Sequence, residues 1–513
     1  MAGRRPDILI VMADQLAASA LPFYGHPVTQ APAMSWLAGT GVVFDAAYTA
    51  SPLCAPARAS LLTGLLPSRT GVYDNAAEFA SALPTFAHYL RRAGYRTVLS
   101  GKMHFCGPDQ LHGFEERLTT DIYPADYGWT PDWDRPKQRP SWYHDMSSVL
   151  DAGPCLRSNQ LDFDDEVAFA AERSLYAHIR SGDERPFCHV VSFSHPHDPF
   201  TISRRWWDLY RDRDIPVPAA GPDEAALHPH ERRLREVCAM NDLPVTGDHV
   251  RAARRAYYGA ISYVDDHLGR LVALLRDTGR LDGTVIIVTS DHGEMLGDRG
   301  AWYKMSFFEG SARVPLVIRA PGLFRPGRVA AAVSTMDLLP TLAGLAGEGE
   351  VPEAAGPLDG RSLLPHLSGA PDRDEVAAEY LAEGAAAPIV MIRRGPRKFV
   401  HSPADPDQLY DLAADPGERV NLAADPASAG LVAGFRAEIA ARWDLRALAA
   451  EVRLSQHRRM VVAAALGTGS QVPWDYSPDY GASRRYIRNH ADLGELEVLA
   501  RYPPVRRGAE PEP

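Results

Sequence analysis

A cysteine, a proline and an arginine alternate with small residues in the segment SPLCAPARAS. Cys54, Pro56 and Arg58 form a Cys-x-Pro-x-Arg pattern, in a chain with only five cysteines among 513 residues. Such a cysteine is a candidate nucleophile, and Arg58 would hold its loop and neutralise nearby charge. The alternative is a buried structural cysteine beside a turn, which is the commoner fate of a lone cysteine.

Polar clusters follow four apolar runs elsewhere in the chain. The runs are Asp7 to Met12, Tyr95 to Leu99, Cys188 to Phe193 and Val285 to Thr289, and the clusters are Asp14-Gln15, Lys102-Met103-His104, His195-Pro196-His197-Asp198 and Asp291-His292-Gly293. Apolar runs without alternation are typical of strands buried on both faces of a parallel sheet. Ligands bind at the carboxyl edge of such sheets, so we expect the four clusters to meet there.

The elements around these runs indicate an α/β fold. Amphipathic stretches from Leu83 to Arg92 and from Val264 to Asp277 end near glycines, as helices do. After a Pro/Gly/Glu-rich segment at 347–360, two short runs around 394–396 resemble a hairpin. We predict a catalytic α/β domain over 1–362, a C-terminal antiparallel subdomain over 363–442, and an extension over 443–513 that forms an oligomerisation arm.

Composition limits the partners and the compartment. With a formal charge of −11, the chain has no general electrostatic reason to bind nucleic acid or an anionic membrane, so a local cationic cluster must hold any anionic substrate. The five cysteines are far apart and include no CxxC, which favours neither a disulfide framework nor a zinc site. No run approaches the length of a membrane span. We expect a cytoplasmic enzyme.

The run LLTGLLPSRTG, which follows the cysteine motif, makes the whole segment resemble the signature of type I sulfatases, in the alkaline-phosphatase-like superfamily. The resemblance implies a large, mostly parallel sheet flanked by helices, a smaller domain with an antiparallel sheet, and oxidation of Cys54 to formylglycine by a maturase. A hydrated aldehyde offers one hydroxyl to attack sulfur and a second to expel sulfate, which an unmodified thiol cannot do.

The same resemblance implies one divalent metal ion held by Asp14, Gln15, Cys54, Asp291 and His292. Hard oxygen ligands favour calcium or magnesium. Sulfatases have an acidic pair where this chain has Asp14-Gln15, and a neutral amide together with a histidine nitrogen makes magnesium or manganese more plausible. For Asp14 alone, the alternative is a helix cap.

Resemblance also assigns the sulfate-binding groups. The chain has four lysines, and two of them, Lys102 and Lys304, stand in segments that match sulfate-contacting elements. His197 would contact the sulfate and protonate the leaving alkoxide as a general acid, whereas His195 could be structural. His104 would accept a proton from the geminal diol or orient it. Lys398, another of the lysines, has no evident chemistry.

Several runs resemble the choline-sulfatase group of this family, including SDHGEMLGDRG, KMSFFEGSARVPL and the C-terminal RRYIRNH. The implied reaction is hydrolysis of choline sulfate to choline and sulfate by a homo-oligomer, a dimer or a tetramer. A trimethylammonium group needs aromatic faces and a carboxylate. The candidate aromatic cluster consists of Trp129, Trp133, Trp142, Tyr143 and His144.

Within that cluster we select Trp129 and His144 as substrate-binding residues, with Glu383 as the charge partner and Glu379 as its alternative. Packing or a subunit interface is the competing explanation of such aromatic loops. Two competing functions remain. One is hydrolysis of phosphonate monoesters or phosphodiesters with the same nucleophile, and the other is anion binding without catalysis, if Cys54 stays unmodified.

Overall fold

The computed structural model describes residues 5–123, 126–139, 143–219, 221–348, 356–370, 373–470, 474–481 and 492–503. The strands are β1 (Asp7–Ala13), β2 (Val42–Tyr48), β3 (Arg96–Gly101), β4 (Glu116–Arg117), β5 (Gly153–Cys155), β6 (Phe187–Phe193), β7 (Thr201–Ser203), β8 (Thr284–Thr289), β9 (Arg313–Val314), β10 (Leu316–Arg319), β11 (Gly327–Ser334), β12 (Glu375–Tyr380), β13 (Ile389–Arg394), β14 (Arg397–Ser402) and β15 (Asp405–Asp411).

The helices are α1 (Pro32–Thr40), α2 (Cys54–Thr63), α3 (Pro67–Thr70), α4 (Phe86–Arg92), α5 (Ser147–Leu150), α6 (Asn159–Ser181), α7 (Arg204–Asp208), α8 (Pro229–Val237), α9 (Gly247–Asp277), α10 (Glu309–Ala312), α11 (Leu338–Ala343), α12 (Leu364–Leu367), α13 (Ala429–Arg442), α14 (Leu445–Leu466) and α15 (Leu493–Ala500). None of the helices in the described ranges is long and apolar enough to cross a membrane.

A nine-stranded sheet forms the centre of the molecule, with strand order β11-β2-β10-β8-β1-β6-β3-β4 and β9 paired to β2. The four strands β8, β1, β6 and β3 are neighbours and run parallel to one another. Strand β10 is antiparallel to both of its neighbours, β2 and β8, so the sheet is mixed. The prediction of a large, mostly parallel sheet is confirmed.

The four strands predicted from apolar runs are β1, β3, β6 and β8, each within two residues of its predicted limits. Their side chains are buried on both faces: every residue of β1, β6 and β8 is buried. Because the four strands are parallel neighbours, their carboxyl ends lie side by side. The polar clusters that follow them therefore meet at one edge.

Helices cover both faces of this sheet. The longest, α9, spans 31 residues and contains the predicted stretch from Val264 to Asp277. Helix α4 begins at Phe86, later than the predicted Leu83, because the Thr85 backbone N–H donates to His88 Nδ1 at 3.1 Å and caps the helix there.

A second, antiparallel sheet has the order β12-β13-β14-β15. The predicted hairpin corresponds to β13 and β14, which pair from Val390 with His401 to Arg394 with Arg397. Helix α13 packs on this sheet through Val432, Phe435 and Ile439. Helix α14 follows it and returns to the large domain of the same chain, where Gln456 Oε1 accepts a hydrogen bond from the Trp133 backbone N–H at 3.0 Å. The segment RRYIRNH and residues 349–355 lie outside the described residues.

Candidate active site

Cys54 is the first residue of α2, at the carboxyl edge of the large sheet. Its side chain is buried, and Sγ lies 3.1 Å from His292 Nε2 and 3.6 Å from Lys102 Nζ. The Asp14 carboxylate is 3.9 Å away. The structure thus brings the candidate nucleophile together with groups from the ends of β1, β3 and β8, as the strand-end clusters predict.

The surroundings of Cys54 stabilise negative charge. Burial alone would raise the pKa of the thiol, but the positive charges of Lys102, Lys304 and His292 outweigh it and hold the pKa well below its usual range. Position 54 is therefore a place where an anion, such as a thiolate or the oxygens of a modified side chain, is favoured.

A buried ring of four ligand atoms can hold a metal ion. One atom each from Asp14, Cys54, Asp291 and His292 lies within 4.8 Å of the others. Burial and then the Asp291 charge raise the pKa of Asp14, as expected for two adjacent buried carboxylates. Two carboxylates and a histidine suit a hard or borderline divalent cation. The donor set therefore fits the predicted metal.

Gln15 is placed differently from the other four predicted metal ligands. Its amide oxygen accepts a hydrogen bond from Lys304 Nζ at 2.6 Å, and its amide nitrogen donates to Asp198 at 3.3 Å and to Glu294. The backbone at Gln15 has a left-handed φ of +62°, which is strained for a residue other than glycine. Gln15 thus connects the candidate metal ligands with the groups around Lys304.

Arg58 holds helix α2, which begins at Cys54, against the candidate metal ligands. Its guanidinium, fully buried, donates from Nε to Asp291 Oδ2 at 2.8 Å and from a terminal nitrogen to Ser192 Oγ at 3.0 Å. The Arg58 charge keeps the pKa of Asp291 below its usual range despite burial. The predicted role of Arg58 in bracing the loop and neutralising charge agrees with these contacts.

Three cationic or protonatable groups surround the space above Cys54. Lys102 forms an ion pair with Asp14, and Lys304 Nζ lies 2.9 Å from His197 Nε2. Both lysines are buried, and a buried ammonium without a bound anion is costly unless paired. An anionic ester group would replace these internal partners.

His104 approaches the same space from the end of β3. Its Nε2 lies 3.1 Å from the Asn75 carbonyl oxygen, and its φ is +56°. Asp121 supports this turn by accepting the His104 backbone N–H at 2.7 Å. Conversely, His195 Nδ1 lies 2.7 Å from the Asp164 carboxylate, inside the core, which agrees with a structural role.

The loop that carries Lys304 is fixed from three sides. Tyr303 N–H donates to Glu294 at 2.6 Å, and Met305 N–H donates to the Pro52 carbonyl at 3.0 Å, beside Cys54. Tyr303 and Met305 have left-handed φ values of +68° and +71°, so the backbone on both sides of Lys304 is strained.

The third support of this loop is Lys398, for which the sequence suggests no chemistry. Its buried Nζ donates to the Phe307 carbonyl at 2.6 Å and to Glu309 at 2.8 Å, and it pairs with Glu418 at 2.5 Å. Lys398 lies on β14, so the small sheet contributes a buried charge to the loop of the active-site lysine.

A cavity of about 450 Å³ opens in front of Cys54. Its lining includes the cationic and protonatable groups Lys102, His104, His197 and Lys304, and the rings of Tyr123, Trp129, Tyr143 and His144. Trp129 is half-buried, with its ring centroid 6.0 Å from that of His104. The His144 ring stacks on Tyr303 at 4.4 Å. Trp129 and His144, both selected from the sequence, therefore face the same cavity as the nucleophile.

Not every residue of the predicted aromatic cluster lines the cavity. Trp133 is buried in the core and donates its indole N–H to the Ala382 carbonyl at 2.9 Å. It is a packing residue, because its one donor is already satisfied there. Trp142 lies outside the described residues.

Glu383, and not Glu379, is adjacent to the cavity. The hydroxyl of the cavity-lining Tyr143 donates to the Glu383 carboxylate, and burial raises the pKa of Glu383 to about 8. Glu379 instead accepts hydrogen bonds from Ser68 Oγ at 2.7 Å and from the Trp443 indole at 2.6 Å. These contacts hold Glu379 away from the cavity.

Asp198 is a site residue for which the sequence predicts no role, although it lies in the polar cluster after β6. Its carboxylate is 3.1 Å from His144 Nδ1 and 3.2 Å from His197 Nδ1. Burial would raise the pKa of Asp198, but His144 and His197 hold it well below its usual value. Asp198 thereby joins the cationic end of the cavity to its aromatic end.

The buried Cys54 lies beside the four ligand atoms that can hold a cation, and two lysines face the cavity in front of it. This arrangement is that of a hydrolase of anionic esters. Comparison with known sequences narrows this class. The sequence profile of the sulfatase family matches residues 6–348, and a profile described as "Choline sulfatase enzyme C terminal" matches residues 450–502. The chain belongs to the sulfatase family and is a sulfuric ester hydrolase.

Individual relatives agree with this assignment. The chain is 50% identical to the choline-sulfatase of Rhizobium meliloti (strain 1021), over 97% of this chain and 99% of that protein. It is 32% identical to a multifunctional alkaline phosphatase superfamily protein of Trinickia caryophylli, over 86% and 95% of the two chains. The phosphonate monoester hydrolase of Agrobacterium radiobacter superposes with a TM-score of 0.70 at 29% identity, covering 86% of this chain and 96% of that chain.

Proposed function

We propose that this protein hydrolyses choline sulfate to choline and inorganic sulfate. The observation that carries the substrate assignment is the cavity, which has cationic groups beside Cys54 and aromatic rings at the other end. The 50% identity to a choline-sulfatase along nearly the whole chain supports it.

The two ends of the cavity suit the two ends of this substrate. The sulfate ester is an anion, for which Lys102 and Lys304 supply ammonium groups. The trimethylammonium group offers no hydrogen-bond donor and is attracted by aromatic faces and by negative charge. Trp129 and His144 provide rings, and Glu383 provides a carboxyl group behind Tyr143.

Two groups complete the proposed site. Formylglycine made from Cys54 by a maturase supplies, as its hydrate, one hydroxyl to attack sulfur and a second that allows sulfate to be expelled. A divalent cation, calcium first with magnesium or manganese as alternatives, supplies Lewis acidity at that position. Asp14, Asp291 and His292 would hold the ion with position 54. Gln15 would join them only if its amide oxygen exchanged the hydrogen bond from Lys304 for the ion.

The remaining steps belong to side chains of the chain itself. Lys102 and Lys304 bind and orient the sulfate oxygens, exchanging their internal partners for them. His197, as the imidazolium, donates a proton to the leaving alkoxide from Nε2 once Lys304 has turned to the sulfate, while its Nδ1–H stays on the Asp198 backbone carbonyl at 2.6 Å. His104 holds or accepts a proton at position 54, with its other side fixed by Asn75. Arg58 keeps the nucleophile helix in register.

The test is a comparison of kcat/KM on choline sulfate and on phenylphosphonate monoesters, with metal-loaded protein whose Cys54 modification has been measured by peptide mass. We expect choline sulfate to be preferred by orders of magnitude. A comparable preference for the phosphonate ester would refute the substrate proposal and leave the family unchanged.

Phosphonate monoester or phosphodiester hydrolysis is the second candidate. The likeness to the Agrobacterium radiobacter enzyme favours it, at a TM-score of 0.70. Tetrahedral sulfur and phosphorus esters would make similar contacts with a site formed by two lysines. The aromatic end of the cavity is what favours the choline ester over this alternative.

A catalytically silent anion-binding protein is the third possibility, if Cys54 is never oxidised. Intact mass of the Cys54 peptide, combined with turnover, decides this: a persistent thiol without turnover would remove the enzyme proposal. We further propose a reducing, cytoplasmic location, which the five free cysteines support. The division at 362 and 442 and a homo-oligomeric assembly through the C-terminal extension also stay proposals.

A further inference from the structure

The buried stripe of helix α14 changes character along its length. Its buried residues are Leu448, Val452, Gln456 and Arg459, which share one face at helical spacing. The first two are apolar, and the last two are polar and at most 6% exposed. Buried polar groups are costly unless they are paired, so the partners of Gln456 and Arg459 indicate what this half of the helix contacts.

Arg459 forms a fork-shaped ion pair in the interior. Its two terminal nitrogens each lie 2.7 Å from a carboxylate oxygen of the fully buried Asp74. One of them also donates to Thr130 Oγ1 at 3.2 Å. Bidentate pairs of this kind fix geometry as well as charge. Arg459 therefore joins the 74–75 turn to the residue that follows Trp129.

Gln456 and its neighbour His457 hold the same aromatic segment further along. Gln456 accepts the Trp133 backbone N–H at 3.0 Å, and His457 Nε2 lies 2.8 Å from the Asp134 carboxylate. Trp129 itself lies in a single 3₁₀ turn, Tyr127–Trp129, which belongs to neither large nor small sheet. The contacts with α14 thus supply an anchor that no strand provides to this segment.

The sulfate end of the cavity is built differently. Lys102 follows β3, and Lys304 lies in the loop held by Pro52 and Lys398. A change at Gln456 should therefore affect the aromatic end of the cavity and not the lysines. A change at Arg459 also reaches the 74–75 turn, where Asn75 contacts His104 at 3.1 Å and accepts the Ala55 backbone N–H at 2.9 Å.

We propose that α14 determines substrate specificity. Its Arg459 and Gln456 are positioning residues that hold Trp129, in the wall of the cavity, at the distance the trimethylammonium group requires. The inference rests on choline sulfate as the substrate. It gives the C-terminal extension a role within its own chain, in addition to any role in assembly.

The test uses two variants and a matched control. Arg459→Lys keeps the charge that Asp74 needs but cannot form the fork. Gln456→Leu removes the contact to the Trp133 backbone without leaving a buried charge. Arg458→Lys makes the same substitution at the exposed neighbouring arginine. Each protein is assayed with choline sulfate, and with 4-nitrophenyl sulfate in the presence of choline or inorganic sulfate as inhibitor.

We expect both variants to raise KM for choline sulfate and Ki for choline at least fivefold, with Ki for sulfate changed less than twofold. In Gln456→Leu, kcat on the aryl ester should also change less than twofold. The control should match the parent protein. Equal changes in the two inhibition constants, or no change in either, would overturn the proposal. If Arg459→Lys does not fold, as judged by circular dichroism, the Gln456→Leu result alone decides.

Failure of the substrate proposal gives a different pattern. In that case the parent protein itself would neither turn over choline sulfate efficiently nor be inhibited by choline, whatever the variants did.

Discussion

Replacing Trp129 with alanine tests the aromatic wall most directly. A cation over an indole face contributes about 0.5–1 kcal/mol at exposed sites and about 2 kcal/mol when desolvated. Trp129 is half-buried in the cavity wall, which puts its contribution at about 1–2 kcal/mol. At 1.4 kcal/mol per factor of ten, KM for choline sulfate should rise about 5- to 30-fold.

The assay is steady-state kinetics on choline sulfate and on 4-nitrophenyl sulfate, together with Ki for choline, because KM equals a dissociation constant only when chemistry is slow. Trp129→Phe keeps an aromatic face and should recover most of the affinity. Trp36→Ala removes a half-buried tryptophan on α1, outside the cavity, and should change neither substrate. An equal loss on both esters in Trp129→Ala would refute the cation-binding role of this wall.

Three other predictions concern charge. Burial raises the pKa of Glu383 to about 8, so this group is mostly protonated at pH 7 and must ionise to attract a cation. KM for choline sulfate should therefore fall as pH rises from 6.5 to 8.5, and Glu383→Gln should remove this dependence. Lys398→Met leaves the buried Glu418 and the partly buried Glu309 without their cation, which should lower the free energy of unfolding by about 3–5 kcal/mol. The same variant should raise Ki for sulfate more than Ki for choline, because the Lys304 loop loses a support. Chelation should abolish turnover, and calcium, magnesium or manganese should restore it.

Each of these has an outcome that contradicts it. A KM for 4-nitrophenyl sulfate with the same pH slope would remove Glu383 from the explanation. The exposed Lys137→Met is the control for Lys398→Met, and equal shifts of both inhibition constants would leave Lys398 only a structural role. Full turnover after verified metal removal, measured by elemental analysis, would refute a catalytic ion.

The sequence predicts the site where local patterns carry the information. Cys54 and Arg58 stand in one helical turn, and the strand-end clusters of Asp14, Lys102 and Asp291 meet because parallel neighbours share an edge. A sequence pattern can identify such residues because the sheet topology brings them together.

The supporting residues depend on contacts between distant segments and carry no comparable signal. Arg459 pairs with Asp74 across 385 positions, and Lys398 reaches Phe307 across 91. The aromatic cluster shows the same limit, since composition cannot distinguish the ring of Trp129, which faces the cavity, from that of Trp133, which fills the core. Packing in the folded chain determines which of the two rings faces the cavity.

The burial of α2 also bears on how the chain matures in the cell. All ten residues of this helix are buried, and Cys54 is 2% exposed at its start. If Cys54 is converted to formylglycine as we propose, a separate enzyme would have to reach it before α2 is buried in the folded chain. Maturation and folding then compete in time, and the fraction of converted molecules is set during synthesis. Slower translation or a higher level of the modifying enzyme should raise that fraction, and treatment of the folded protein should not.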